Sequence, residues 1–103
     1  MNLKDFMEAH FDKPFGIEDY AYLTGKSSSS FNRAFKEKFG SSPKQWLIEK
    51  RLLKASELLE QGRYQVAEVA EMVGFNHSSH FIQSFKKKFG YTPGEHQPSE
   101  NGF

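Results

Sequence analysis

Ser28-Ser29-Ser30-Phe31-Asn32-Arg33-Ala34-Phe35-Lys36-Glu37-Lys38-Phe39-Gly40-Ser41-Ser42-Pro43 is written a second time fifty residues later, as Ser78-Ser79-His80-Phe81-Ile82-Gln83-Ser84-Phe85-Lys86-Lys87-Lys88-Phe89-Gly90-Tyr91-Thr92-Pro93. Upstream the correspondence continues at an offset of forty-nine, with Ile17, Ala21 and Gly25 answering to Val66, Ala70 and Gly74. A one-residue change of offset just after a glycine is what a turn between two helices tolerates. Each copy therefore reads as helix, glycine-containing turn, helix, the layout in which a second helix can lie in a DNA groove.

Within each copy Phe recurs at i, i+4 and i+8, the spacing of one buried stripe on a helix. That spacing assigns Phe31, Phe35 and Phe39, and Phe81, Phe85 and Phe89, to core packing rather than base stacking. The opposite side then presents Ser29, Ser30, Arg33 and, partly, Asn32 and Lys36 in the first copy. In the second it presents Ser79, His80, Gln83 and Lys87. Arg33 suits the two acceptors of guanine, and Asn32 or Gln83 the donor–acceptor pair of adenine. Ile82 is placed to touch a thymine methyl. Ser28 and Ser78, with the serines that follow them, can bond phosphates beside the helix-start amides.

Around this repeat the chain reads as all-α. Leu3, Phe6, Met7 and Phe11 mark a first helix over 3–11, broken by Pro14 and Gly16. A second runs from Glu18 and Asp19, carboxylates suited to a positive helix end, to about Thr24. The third begins near the serine run, any member of which can cap it, and stops at Gly40. Ser42-Pro43 opens a connector to about Glu60, roughly 27 Å long at ~1.5 Å per residue. Ile48, Leu52, Ala55 and Leu59 form its main stripe, while Trp46 and Leu53 lie towards the other side. A helix apolar on more than one side has neighbours on more than one side. Helices near 66–73 and 77–88 and a short last helix from Pro93 complete the second unit. The expected division is a first lobe over 1–42, the connector 43–60, a second lobe over 63–97, and a frayed tail at 98–103.

The 103 residues carry a net charge of +1, so a case for nucleic acid rests on distribution. Between Lys26 and Lys54 stand eight Lys or Arg against Glu37 and Glu49, and 75–93 holds three Lys and no acid. This polarity predicts one cationic face. The absence of cysteine excludes disulfides, thiolate metal sites and thiol catalysis, and fits a reducing cytosol. No apolar run approaches the ~18 residues of a membrane span. His77 and His80 lie three apart, but no third ligand is placed by spacing, so no metal or other cofactor is expected. His10 and His96 stand isolated. No Ser-His-Asp set, HExxH or phosphate loop can be assembled, so no catalytic residue is assigned.

Over residues 1–97 the chain resembles the DNA-binding domain of the AraC/XylS transcription regulators. The matching marks are Ala70-Glu71-Met72-Val73-Gly74-Phe75, Ser79-His80-Phe81, Phe85-Lys86-Lys87-Lys88-Phe89-Gly90 and Thr92-Pro93. In the connector they are Pro43, Trp46, Leu47, Arg51, Leu52, Ala55 and Leu58-Leu59. The resemblance implies seven helices, two helix-turn-helix lobes on a long shared helix, and bacterial transcription control. It further implies double-stranded DNA and RNA polymerase as partners and a cytoplasmic, nucleoid-associated location. Its recognition positions map to Ser29, Ser30, Asn32 and Arg33, and to Ser78, Ser79, His80 and Gln83. Gln83 and Gln97 stand where Arg is common, and His96 replaces an aromatic, so weaker phosphate anchoring by the second lobe is expected. Many members carry a separate sensor or dimerisation domain, and the chain is expected to be a C-terminal fragment of such a protein. A module acting mainly through protein contacts is the rival reading. A repair methyl acceptor on a similar domain is excluded by the missing thiols.

Overall fold

The computed structural model describes residues 2–96, and every regular element among them is helical. Helices α1 (Leu3–His10), α2 (Ile17–Leu23) and α3 (Ser28–Phe39) precede the connector α4 (Pro43–Glu60). Helices α5 (Val66–Met72), α6 (Ser78–Phe89) and α7 (Pro93–His96) follow it. These bounds agree with the sequence expectation to within a residue or two. The expected tail at 98–103, and Gln97, lie outside the described residues.

Two separate cores hold the chain together. Met7, Tyr20, Ala21, Phe31, Phe35 and Leu47 are buried in the first. Leu52, Ala55, Leu59, Val69, Val73, Phe81 and Phe85 are among those buried in the second. The connector thus gives Leu47 to one core and Leu52, Ala55 and Leu59 to the other. Trp46 closes the first core, its ring 5.6 Å from Phe35 and 5.2 Å from Phe39. Leu53 departs from the expectation of a second apolar side: it is 45% exposed.

The repeat in sequence becomes a repeat in burial. Along Ser28–Gly40 and Ser78–Gly90 the order of buried, half-buried and exposed positions is the same at every step. Phe31, Phe35, Phe81 and Phe85 have no exposed surface. Burial of each stabilises by roughly 1.5–3 kcal/mol, against about 1 kcal/mol for a helix cap. The aromatic stripe, more than the caps, therefore decides which side of α3 and α6 meets solvent.

The turns differ by one residue, and the structure locates it. Lys26 N–H donates to the Ala21 carbonyl at 2.8 Å, and Phe75 N–H to that of Ala70 at 2.9 Å. The two turns thus run in parallel up to Lys26 and Phe75. Ser27 then caps α3, its hydroxyl accepting from Ser30 N–H at 3.2 Å. In the second unit Asn76 is added before His77, which holds the cap position without a side-chain bond. The start of α2 is built like that of α5: Asp19 accepts from Gly16 N–H at 2.8 Å, and Glu68 from Gln65 N–H at 3.0 Å.

Candidate nucleic-acid interface

Every residue read from the sequence as a DNA contact is exposed: Ser28, Ser29, Ser30, Asn32, Arg33 and Lys36 on α3, and Ser78, Ser79, His80, Gln83 and Lys87 on α6. Helical spacing puts Ser29, Ser30 and Arg33, and Ser79, His80, Gln83 and Lys87, opposite the buried Phe stripe, with Asn32 and Lys36 on its flank and Ser28 and Ser78 at the helix starts in line with it. Arg33, Lys36 and Lys87 take part in no ion pair among the described residues, so their charges are uncommitted. Asn32 is partly committed, since its amide donates to the Ser28 carbonyl one turn back at 2.8 Å. Its second N–H and its Oδ1 stay available for an adenine edge. His80 stands edge-on to Phe75, ring centres 5.3 Å apart, at the side of α6 that faces the connector.

The cationic face is narrower than the charge count predicts. Three of the eight cations between Lys26 and Lys54 turn instead to the first lobe. Lys50 pairs with Glu8 at 3.1 Å and Lys54 with Asp12 at 2.7 Å. Arg51 donates through Nε to the Phe11 carbonyl at 2.7 Å and through one terminal nitrogen to the carbonyls of Lys13 and Phe15, at 3.0 and 3.2 Å. On α6, Lys88 pairs with Glu49 at 3.4 Å. Burial alone raises the Asp12 carboxyl, but the bond and the charge of Lys54 outweigh it and hold Asp12 below the ordinary aspartate range. Tyr20, buried and donating to the His10 carbonyl at 2.7 Å, is pushed above the ordinary phenol range by desolvation despite the nearby Arg51.

Neither histidine expected to be isolated is so. His10 bonds the Phe6 carbonyl through Nδ1 at 2.8 Å and stacks on the Phe6 ring. His96 fills the place of the missing aromatic: it stacks on Tyr91 at 5.3 Å and meets Ser56 through Nε2 and the Tyr91 hydroxyl through Nδ1, both at 3.0 Å. It is a ring with two polar ends, which spacing alone does not reveal.

Lys44 was counted among the cations but not among the contacts. The start of α4 and α6 enclose a groove of about 560 Å3, lined by Lys44, Gln45, His80, Ser84 and Lys87. It lies beside the candidate contacts of α6. Only the fold brings position 44 next to positions 80 and 87. Among the described residues no group of three His, Asp or Glu is placed to hold a metal ion, and no helix is long and apolar enough to cross a membrane.

Comparison with known proteins agrees with this geometry. A helix-turn-helix domain family, of AraC type, matches residues 20–98. The virulence regulon transcriptional activator VirF of Yersinia enterocolitica is 32% identical over 93 residues, 90% of this chain and 34% of VirF. Among solved structures, the C-terminal domain of the response regulator yesN from Fusobacterium nucleatum superposes with a TM-score of 0.85 at 29% identity, covering 92% of this chain and 93% of that one. The DNA-binding domain of AdpA, a global transcriptional factor solved with a target DNA, gives a TM-score of 0.81 at 33% identity over 90% of this chain and 84% of its own. The chain spans about a third of the length of the curated relatives it matches. It belongs to the AraC-type helix-turn-helix family, and the relatives named here are transcription or response regulators, or domains of them, rather than enzymes.

Proposed function

We propose that this chain binds double-stranded DNA sequence-specifically, laying α3 and α6 in successive major grooves, and thereby regulates transcription. The observation that carries the reading is the step-for-step match in burial between Ser28–Gly40 and Ser78–Gly90. It leaves two equivalent polar faces on one body. That body measures 49 × 21 × 21 Å, long enough to reach across the ~34 Å between successive groove faces. The solved complex of the AdpA domain with DNA supports the choice of ligand.

In this reading the lobes are residues 1–42 and 63–97, with 43–60 between them and 98–103 as a tail. Ser28, Ser29, Ser30 and Lys36 meet phosphate while Asn32 and Arg33 reach bases. Ser78, Ser79 and Lys87 anchor the second helix, while His80 and Gln83 face base edges. The polarity of the uncommitted cations sets orientation, and the side chains of α3 carry most of the discrimination. A relative named as a transcriptional activator supports positive control; contact with RNA polymerase, a further sensor or dimerisation domain and a cytoplasmic location belong to the same proposal.

The test is selection of bound duplexes from a random pool, followed by a salt titration on the selected site. Specific binding with a steep negative log–log slope is expected, because neutralised phosphates release counterions. No enrichment, together with a flat slope and retention on polymerase, would support the protein-contact reading instead.

A further inference from the structure

Gly74 and Gly25 occupy the same place in the two copies of the repeat, yet their surroundings are opposite. Both have positive φ, +99° and +72°. A Cβ built on Gly25 meets nothing within 4 Å. A Cβ on Gly74 would lie 2.7 Å from the Lys13 carbonyl oxygen, 3.1 Å from the Asp12 carbonyl oxygen and 3.1 Å from Arg51 Nε. Two of these three atoms are backbone of the α1–α2 loop, which has little freedom to give way. The turn of the second lobe is therefore pressed against the first lobe, with a guanidinium at the seam.

That loop is held from the connector. Arg51 gathers the carbonyls of Phe11, Lys13 and Phe15 and reaches the Tyr20 hydroxyl at 3.4 Å. One turn on, Lys54 fixes Asp12 at 2.7 Å. Beside the seam the two halves are parted by a groove of about 280 Å3, lined by Phe15, Ile17, Ile48 and His80 among others. Where the groove parts the halves nothing opposes a roll of one against the other, and the close approach at Gly74 is the contact that does oppose it.

We infer that the Arg51-held loop and Gly74 form a joint that fixes the rotational setting of α6 relative to α3, and so determines which half-site spacing the chain accepts. The inference rests on the two-groove reading. Its scale follows from the duplex: ~10 bp per turn makes one base pair about 35° of rotation. A joint that blocks a roll of that size excludes sites one base pair too long or too short. Arg51 and Gly74 act here as positioning residues and touch no base.

The test compares wild type with Gly74→Ala, Arg51→Met and the internal control Gly25→Ala. Each is titrated against the selected site, against the same half-sites with one base pair inserted or removed, and against each half-site alone. Wild type and Gly25→Ala are expected to lose about tenfold or more per base pair of altered spacing, the size of a mismatch penalty. Gly74→Ala and Arg51→Met are expected to flatten that dependence to within a factor of about three, while half-site affinities stay equal. Loss of stability alone lowers all spacings together and leaves their ratios unchanged.

A second reading needs no DNA. The chain lacks cysteine, so Glu37→Cys on α3 and Lys86→Cys on α6 provide two unique spin-label positions. The distance distribution should be narrow in wild type and Gly25→Ala and broadened or shifted in the two joint variants. Unchanged spacing ratios and unchanged distributions in both joint variants overturn the joint. Indifference of wild type to spacing overturns the joint as what sets the spacing, whereas equal affinity for one half-site and for the full site overturns the two-groove reading, and the spin-label arm then still decides whether the joint exists.

Discussion

Arg33→Ala separates base reading from phosphate anchoring within a single side chain. Arg33 is exposed on α3 and takes part in no ion pair among the described residues. Its removal should change folding stability by no more than about 0.5 kcal/mol, as for ordinary surface positions. Any larger loss in binding is then a loss of contact. A bidentate arginine–guanine pair carries ~1–3 kcal/mol of discrimination, or about 5- to 150-fold in affinity. Fluorescence anisotropy with the selected duplex should show that loss, and duplexes carrying each alternative base pair should show preference relaxing at one position. The salt slope should stay nearly constant, whereas loss of a phosphate contact lowers it by about one. Equal weakening on every duplex, with a slope reduced by one, would refute the assignment of Arg33 as a base reader.

Lys87→Ala should give that opposite signature, weakening all duplexes alike and lowering the salt slope by about one. The half-site bound by α3 should be the more sensitive to saturation mutagenesis, since Arg33 is uncommitted while α6 offers Gln83 and His80; greater sensitivity in the other half contradicts this. Asp12→Asn should destabilise the fold at pH 7. Because the folded Asp12 lies below its ordinary range, the ion pair stabilises above the unfolded value and is lost as pH falls through the folded one. Thermal unfolding should therefore show wild type and variant converging in acid below the aspartate range.

Periodicity made most of the architecture legible before any coordinate was known. Phe at every fourth position set both α3 and α6 and the side they expose, and Ser42-Pro43 set the start of the connector. What periodicity could not reach were contacts between residues far apart in sequence. Arg51 and Lys54 read as two more surface cations, because nothing local shows the carbonyls and the carboxylate of 11–15 that meet them about forty residues back. Lys44 lacked its groove for the same reason. His96 looked solitary because its partners, Ser56 and Tyr91, come from the connector and from the turn before α7. The asymmetry between Gly25 and Gly74 was equally hidden, since a repeat predicts equivalent positions and only packing between the lobes makes them differ.

Hydroxyl-radical footprinting of the chain on its selected duplex tests the central claim most directly. Two protected windows are expected on one face of the DNA, separated by ~10 bp, within a site of about 15–20 bp and without a required palindrome. A single protected window, or protection only on inverted repeats that bring two chains together, would contradict the account of one chain reading two grooves.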